Sequence, residues 1–213
     1  MSSLREGRLY GILDLAYVAP DEAVRVADEM IDGGVDILQV RGKKQSAAEL
    51  ETIAANLRTV TAKRSIPLII NDYPAIARSV GADGVHVGQD DLSVNDARKQ
   101  GGGQLLVGKS THSLEQARAA VEEGADYIGF GPLFATPTKP DYKPIGLADI
   151  AEAHRVVKVP IFCIGGIKLE NLAQVIAAGA RRVVIVSGLL RAPDVVAYAR
   201  ACKDLLCEMT NSE

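Results

Sequence analysis

The chain has 213 residues, 47% of them hydrophobic and 24% charged, with a formal net charge of −3 and a pI of about 5.7. That length and balance suit one domain, residues 1–213, able to bury a core without disulfides or a structural metal. The slightly acidic charge excludes a broad nucleic-acid surface, so any phosphate-binding charge must be local. The three cysteines, Cys163, Cys202 and Cys207, show no Cys-x-x-Cys or Cys/His metal spacing, which fits incidental thiols in a reducing compartment. The segment from Met1 to Gly7 has no apolar signal core, and no apolar run has the length of a membrane span. A cytoplasmic protein is expected.

Eight short apolar runs follow in chain order: Leu9–Leu13, Ile37–Val40, Leu68–Ile70, Gly84–Val87, Leu105–Val107, Tyr127–Phe130, Ile161–Ile164 and Val183–Val186. Continuous apolar runs fit strands covered on both faces, as in a parallel sheet. Helical patterns lie between them. Asp21–Ile31 follows Pro20 and stops at Gly33. Ser46 with Glu49, and Ser113 with Gln116, have the spacing of capping boxes. Leu169–Ala178 ends at Gly179, a favourable C′ residue. Gly34-Val35-Asp36, Gly81-Ala82-Asp83, Gly124-Ala125-Asp126 and Gly179-Ala180-Arg181 precede every second run. Four double βα units predict a (β/α)8 TIM barrel of eight parallel strands. An open doubly wound sheet is the alternative, because periodicity does not show closure.

In such a barrel the chemistry sits at the C-terminal strand ends. After the second run come Gln39, Val40, Arg41, Gly42 and Lys43, where a period of two turns Gln39, Arg41 and Lys43 to one side. An amide and two cations there suit a pyrophosphate; the alternative is a solvated charge cluster. The third run ends in Asn71-Asp72, and the fourth in Gly88-Gln89-Asp90-Asp91. Carboxylates on adjacent strand ends are usual Mg²⁺ ligands, but Asp72, Asp90 or Asp91 could equally cap the next helix. Ser110 follows the fifth run and could bind substrate or cap. His86 and His112 read as packing or surface histidines.

The sixth run leads into the longest loop, Gly131 to Pro140, with Thr136, Thr138 and Lys139 between prolines. Prolines order such groups at low entropic cost. Gly165-Gly166 and Ser187-Gly188 follow the seventh and eighth runs, where phosphate sites are common in this fold.

Taken in order, these motifs resemble the thiamine-phosphate synthase family: Gln39-x-Arg41-x-Lys43, Asn71-Asp72, Asp83 to Asp91, Gly131-Pro132, Thr136 to Lys139 and Ile164 to Ile167. The resemblance covers nearly the whole chain. It implies a transferase that joins a hydroxymethylpyrimidine pyrophosphate to a thiazole phosphate and releases pyrophosphate. By resemblance, Gln39, Val40, Arg41, Gly42, Lys43, Asn71, Ser110 and Lys139 hold the pyrimidine pyrophosphate. Asp72 and Asp91 hold Mg²⁺, and Thr136, Pro137, Thr138, Gly166, Val186 and Ser187 hold the thiazole phosphate. Arg41, Lys43, Ser110 and Lys139 are its catalytic residues, acting on charge rather than as nucleophiles. The partners implied are those small molecules, with no nucleic acid or membrane, and a homo-oligomer stays open. Three positions depart from the family pattern: Leu13 for a Thr, Tyr73 for an Arg, and Lys109 for an apolar residue. Tyr73 and Lys109 could offset each other in charge. Rival readings are a thiazole tautomerase on the same barrel and a non-catalytic thiamine phosphate sensor.

Overall fold

The structure is a computed structural model and describes residues 2–136 and 143–210. Eight parallel strands run β1 (Leu9–Asp14), β2 (Ile37–Arg41), β3 (Leu68–Asn71), β4 (Gly84–Val87), β5 (Leu106–Thr111), β6 (Tyr127–Phe130), β7 (Ile161–Cys163) and β8 (Val183–Ile185). Each pairs with the next, and β8 pairs back onto β1, so the sheet closes. Closure decides against the open doubly wound sheet. Helices α2 (Ala23–Asp32), α3 (Ala47–Lys63), α4 (Pro74–Ser79), α5 (Val94–Gln100), α6 (Leu114–Glu122), α7 (Ile150–Val156), α8 (Leu169–Ala177) and α10 (Val195–Thr210) cover the outside. A short α1 (Ser2–Glu6) precedes the barrel, and one turn, α9 (Ser187–Leu190), follows β8.

Alternation along the strands divides the core in two. Outward residues such as Leu13, Val40, Val85 and Val107 pack under the helices. Inward residues Tyr10, Ile12, Ile37, Ile69, Tyr127, Phe162 and Val184 fill the barrel, and Leu4 of α1 joins them.

Local boundaries differ from the sequence reading in instructive ways. The expected Asp21–Ile31 helix is a 3-10 turn at Pro20–Glu22 followed by α2. The Ser46–Glu49 box forms as expected. At α6, Ser113 does cap, accepting from Gln116 N at 3.1 Å, but the Gln116 side chain reaches past it to His112 N at 2.8 Å. The fifth run looked finished at Val107, yet β5 continues to Thr111 because Lys109 and Thr111 are buried.

The Gly-x-Asp repeat acquires a physical role. Gly34, Gly81, Gly124 and Gly179 all have positive φ, between 64° and 103°, a turn that glycine adopts without strain. The turn delivers an aspartate to the start of the neighbouring strand. Asp36 Oδ2 accepts from Arg8 N and Leu9 N at 2.8 and 2.9 Å. Asp83 Oδ2 accepts from Leu68 N at 2.9 Å, and Asp126 Oδ2 from Val107 N at 2.8 Å. Each also meets a cation: Lys203, Arg58 and Arg98 respectively. These carboxylates therefore satisfy strand-start N–H groups that the ladder leaves open. They lie at the N-terminal face, away from the mouth, where such contacts serve stability.

Asp126→Ala is expected to cost about 2 kcal/mol, the penalty for leaving the partly buried Val107 N–H without its acceptor and Arg98 without its counter-charge. In a chain this size the melting temperature should fall by roughly 4–8 °C. Thermal unfolding followed by circular dichroism checks this, and turnover of the folded variant should be unchanged.

Candidate active site

A cavity of about 810 Å³, counted to its open mouth, sits at the C-terminal ends of the strands. Gln39, Arg41, Asn71, His86, Ser110, Thr136, Gly166, Val186 and Ser187 are among the residues that line it. Eight of the sequence-predicted site residues therefore share one pocket, and the two sets expected for different phosphates face each other across it.

The second strand supplies the cationic wall. Ile37, Gln39 and Arg41 alternate inward, and the parallel register sets Arg41 directly beside Asp14. Arg41 Nη1 lies 2.5 Å from Asp14 Oδ2, with side-chain exposures of 15% and 1%. Asp14 Oδ1 accepts from Ala16 N at 3.0 Å. This buried pair holds the guanidinium in one place at the mouth. Sequence reasoning assigned no role to Asp14; the available signal was a carboxylate ending one inward-facing strand next to an arginine ending the other.

Val40 and Gly42 do not present side-chain chemistry to the pocket. Val40 is fully buried under the helices. A Cβ on Gly42 would meet Gln45, Leu15 and Leu50 at 2.9–3.1 Å. Any contact from these two comes from their backbone. Lys43 lies on the rim and pairs with Asp72. Burial pulls its ammonium pKa down, but the Asp72 carboxylate together with Asp91 more than offsets this, and the net shift is upward.

The acidic corner is built from strained backbone. Asp72 has φ of 63°, a left-handed conformation uncommon outside glycine. Asn71 Nδ2 donates to Asp72 Oδ2 at 2.7 Å. The Asp72 pKa is raised, first by burial, with Asp91 adding to the rise against the lowering effect of Lys43. Capping does not explain either carboxylate. Tyr73 is the N-cap of α4 without a side-chain cap bond, and Ser93 caps α5 by accepting from Asp96 N. Asp91 Oδ2 instead accepts from Gly88 N at 2.8 Å. Among the described residues no group of three or more His, Cys, Asp or Glu side chains could enclose a metal. Asp72 and Asp91, close enough to raise the Asp72 pKa though not among the residues lining the cavity, are nevertheless of the donor type that suits Mg²⁺, which keeps several waters.

The departures from the family pattern also find their places. Leu13 packs under the helices, off the pocket. Tyr73 is 39% exposed on the rim. Lys109 is buried on the opposite face of β5 from Ser110 and donates to Leu92 O at 3.3 Å. It does not line the pocket, so the suggested charge exchange with Tyr73 lacks a geometric basis. His86 and His112, read as packing or surface residues, both line the pocket. His86 Nε2 is 2.9 Å from Ser110 Oγ.

The opposite wall comes from β6 to β8. Leu133 N and Phe134 N donate to Ile164 O and Gly165 O at 2.9 and 3.0 Å, lacing the sixth loop to the end of β7. Gly165 and Gly166 have φ of 100° and 66°, and a Cβ on either would strike Pro132 or Phe134 at 2.4–2.7 Å. Only glycine permits this approach. Thr136 ends the described part of the loop; Pro137, Thr138 and Lys139 lie outside the described residues.

A closed parallel barrel with its pocket at the C-terminal strand ends defines the class of (β/α)8 barrel enzymes. Residues 9–189 match the family model described as thiamine monophosphate synthase. The thiamine-phosphate synthase of Halalkalibacterium halodurans is 44% identical over 194 residues, covering 90% of this chain and 92% of that protein. That of Chloroflexus aurantiacus is 43% identical over 200 residues, covering 93% and 92%. A solved thiamine phosphate pyrophosphorylase from Pyrococcus furiosus superposes with a TM-score of 0.88 at 30% identity, covering 97% and 98%. The chain belongs to the thiamine-phosphate synthase family.

The buried ion pair yields a direct test. Asp14→Asn keeps the shape and the Ala16 hydrogen bond but leaves Arg41 without its counter-charge. It should lower stability by about 3 kcal/mol. Inorganic pyrophosphate binding, followed by calorimetry, should weaken about tenfold, a loss of one charge-assisted contact through misplacement of Arg41.

Proposed function

We propose that this chain makes thiamine phosphate by joining a hydroxymethylpyrimidine pyrophosphate to a thiazole phosphate, with release of inorganic pyrophosphate. The observation that carries the reading is the shared pocket. Arg41, Asn71 and Ser110 line one side and Gly166, Val186 and Ser187 the other, in a chain whose family match runs from residue 9 to 189. A two-substrate condensation needs two anion sites within bonding reach of each other.

In this reading the methylene C–O bond breaks first and its electron pair leaves with the pyrophosphate. The remaining pyrimidine-stabilised cation is captured by the thiazole nitrogen, whose lone pair forms the new C–N bond. The protein's task is to bind both partners in register and to stabilise charge. Arg41, held by Asp14, Lys43 on the rim, and Lys139 would meet the pyrophosphate oxygens as negative charge develops. Asn71 and Ser110 would add neutral hydrogen bonds, with Gln39 facing the pyrimidine side. Backbone N–H groups near Gly166, Val186 and Ser187, with Thr136, Pro137 and Thr138 of the sixth loop, would take the thiazole phosphate. Val40 and Gly42 would contribute backbone only.

Asp72 and Asp91 would hold Mg²⁺. The raised Asp72 pKa beside Asp91 supports this, since a divalent cation relieves the repulsion of paired carboxylates. When bound, Mg²⁺ supplies charge neutralisation of the leaving pyrophosphate. No protein nucleophile is required. Lys43 already neutralises part of the acidic corner, so its release from Asp72 when the metal binds would free it for substrate. As to surroundings, no described helix is long and apolar enough to cross a membrane, and the partners of the reading are small phosphorylated molecules.

The deciding assay mixes purified protein, Mg²⁺, the pyrimidine pyrophosphate and the thiazole phosphate or its carboxylate. Equal amounts of thiamine phosphate and pyrophosphate are expected. Isomerised thiazole without condensation would replace this reading by a tautomerase, and tight product binding without turnover by a sensor. For the metal, Mg²⁺ should raise the melting temperature of the unliganded protein, and Asp91→Ala should lose both that increment and Mg²⁺-dependent turnover. The Asp72 shift has a definite sign. A carboxylate raised in the folded state destabilises it once ionised, so the metal-free protein should lose stability as pH rises through the Asp72 titration. Added Mg²⁺ should remove that loss.

A further inference from the structure

Beneath the pocket, five polar side chains form one continuous line through the barrel interior. Gln39 Nε2 is 2.7 Å from Tyr10 Oη, and Tyr10 Oη is 3.1 Å from Tyr127 Oη. Tyr127 Oη is 3.2 Å from His86 Nδ1, and His86 Nε2 is 2.9 Å from Ser110 Oγ. The line starts at one residue of the proposed pyrimidine site and ends at another. Tyr10, Tyr127 and His86 between them have no role in the reaction described above.

The middle of the line is closely packed. Tyr10 and Tyr127 are 1% and 0% exposed. Phe162 packs edge-on to both rings, at centroid distances of 5.3 and 5.7 Å. The Tyr127 ring lies over Gly108, its register partner, where a Cβ would come within 2.1 Å of Tyr127 Cζ. Burial drives both phenol pKa values up, so each keeps its proton.

With the Gln39 amide nitrogen on Tyr10 Oη and an acceptor required for every buried proton, one arrangement remains. An amide nitrogen donates and does not accept, so Tyr10 Oη accepts from Gln39. The single Tyr10 proton must go to Tyr127 Oη, and the single Tyr127 proton to His86 Nδ1. A neutral imidazole that accepts at Nδ1 carries its hydrogen on Nε2, and that hydrogen points to Ser110 Oγ. The Ser110 hydroxyl, its oxygen engaged from below, has its own proton to donate elsewhere.

We infer that this line is proton-ordered from Gln39 to Ser110, that it holds His86 as the Nε2–H tautomer, and that Tyr10, Tyr127 and His86 are positioning residues which aim the Ser110 proton into the pocket. The tautomer stands on the hydrogen-bond distances and on the Gln39 nitrogen facing Tyr10, independently of the proposed reaction. The consequence for turnover rests on the proposed reading of Ser110 as a pyrophosphate contact: a serine fixed as donor suits an anionic leaving group, whereas a serine bonded to Nδ1-protonated histidine would spend its proton on the ring.

Nitrogen-15 NMR of the unliganded protein, at a pH where imidazole is neutral, reads the tautomer directly, with the His86 signals assigned by their loss in His86→Gln. Nε2–H is expected, and Tyr127→Phe should shift the population towards Nδ1–H. A wild-type protein with His86 as Nδ1–H would overturn the inference, because it would mean that the Gln39 oxygen faces Tyr10 and the line runs backwards. In the condensation assay Tyr127→Phe should lower kcat about 10- to 100-fold, the worth of one hydrogen bond to a charged group, with a much smaller change in KM. In a Ser110→Ala background the same substitution should have no further effect; independent, multiplying losses would show a merely structural tyrosine. His86→Gln, which can still donate to Ser110, should retain more turnover than His86→Leu. If the wild-type protein forms no thiamine phosphate, the functional reading fails while the NMR result still decides the tautomer.

Discussion

Closure of the parallel sheet constrains everything else in this molecule. Once β8 pairs with β1, each inward side chain is enclosed, and an inward polar group must find its partner inside the barrel or at its mouth. Unpaired burial would cost more than a typical net hydrogen bond returns. Asp14 is therefore opposite Arg41, and Tyr10 is between Gln39 and Tyr127. Such satisfaction also immobilises. A guanidinium bonded to a carboxylate that is 1% exposed is held in place, and the charge stabilisation proposed above depends on groups that are already in place.

The two ends of the barrel use the same residue type for opposite purposes. At the N-terminal face, Asp36, Asp83 and Asp126 accept from strand-start N–H groups and meet cations, and their charge is used up in holding the fold. At the C-terminal face, Asp72 and Asp91 crowd each other, and the Asp72 pKa rises. The Mg²⁺ proposed above would relieve that repulsion. The fourth repeat carries Arg181 in place of the aspartate, so β7 lacks the carboxylate that caps β1, β3 and β5.

Much of this was legible in the chain order. Eight apolar runs, recurring glycine turns and polar residues after each run led to the barrel and to one mouth. The Ser46 cap followed from spacing because capping is local. The end of β5 did not follow, because Lys109 looks like a loop residue until one sees its stem buried and its ammonium on Leu92 O. That the two histidines line the cavity did not follow either. The groups that face the His86 ring, Ser110 and Tyr127, come from other strands.

The sequence by itself determined the element order, the identity of the residues at each strand end and the family to which they belong, since these depend on local patterning and composition. The tertiary structure alone decided which of those residues meet. It placed Gln39, Arg41, Asn71 and Ser110 in one pocket with Gly166 and Ser187, turned Val40 and Lys109 away, and brought Asp72 against Asp91 rather than to a helix cap. The reason is physical: register and closure join residues far apart in the chain, and neither propensity nor periodicity carries information about which face of a closed sheet a given pair will share.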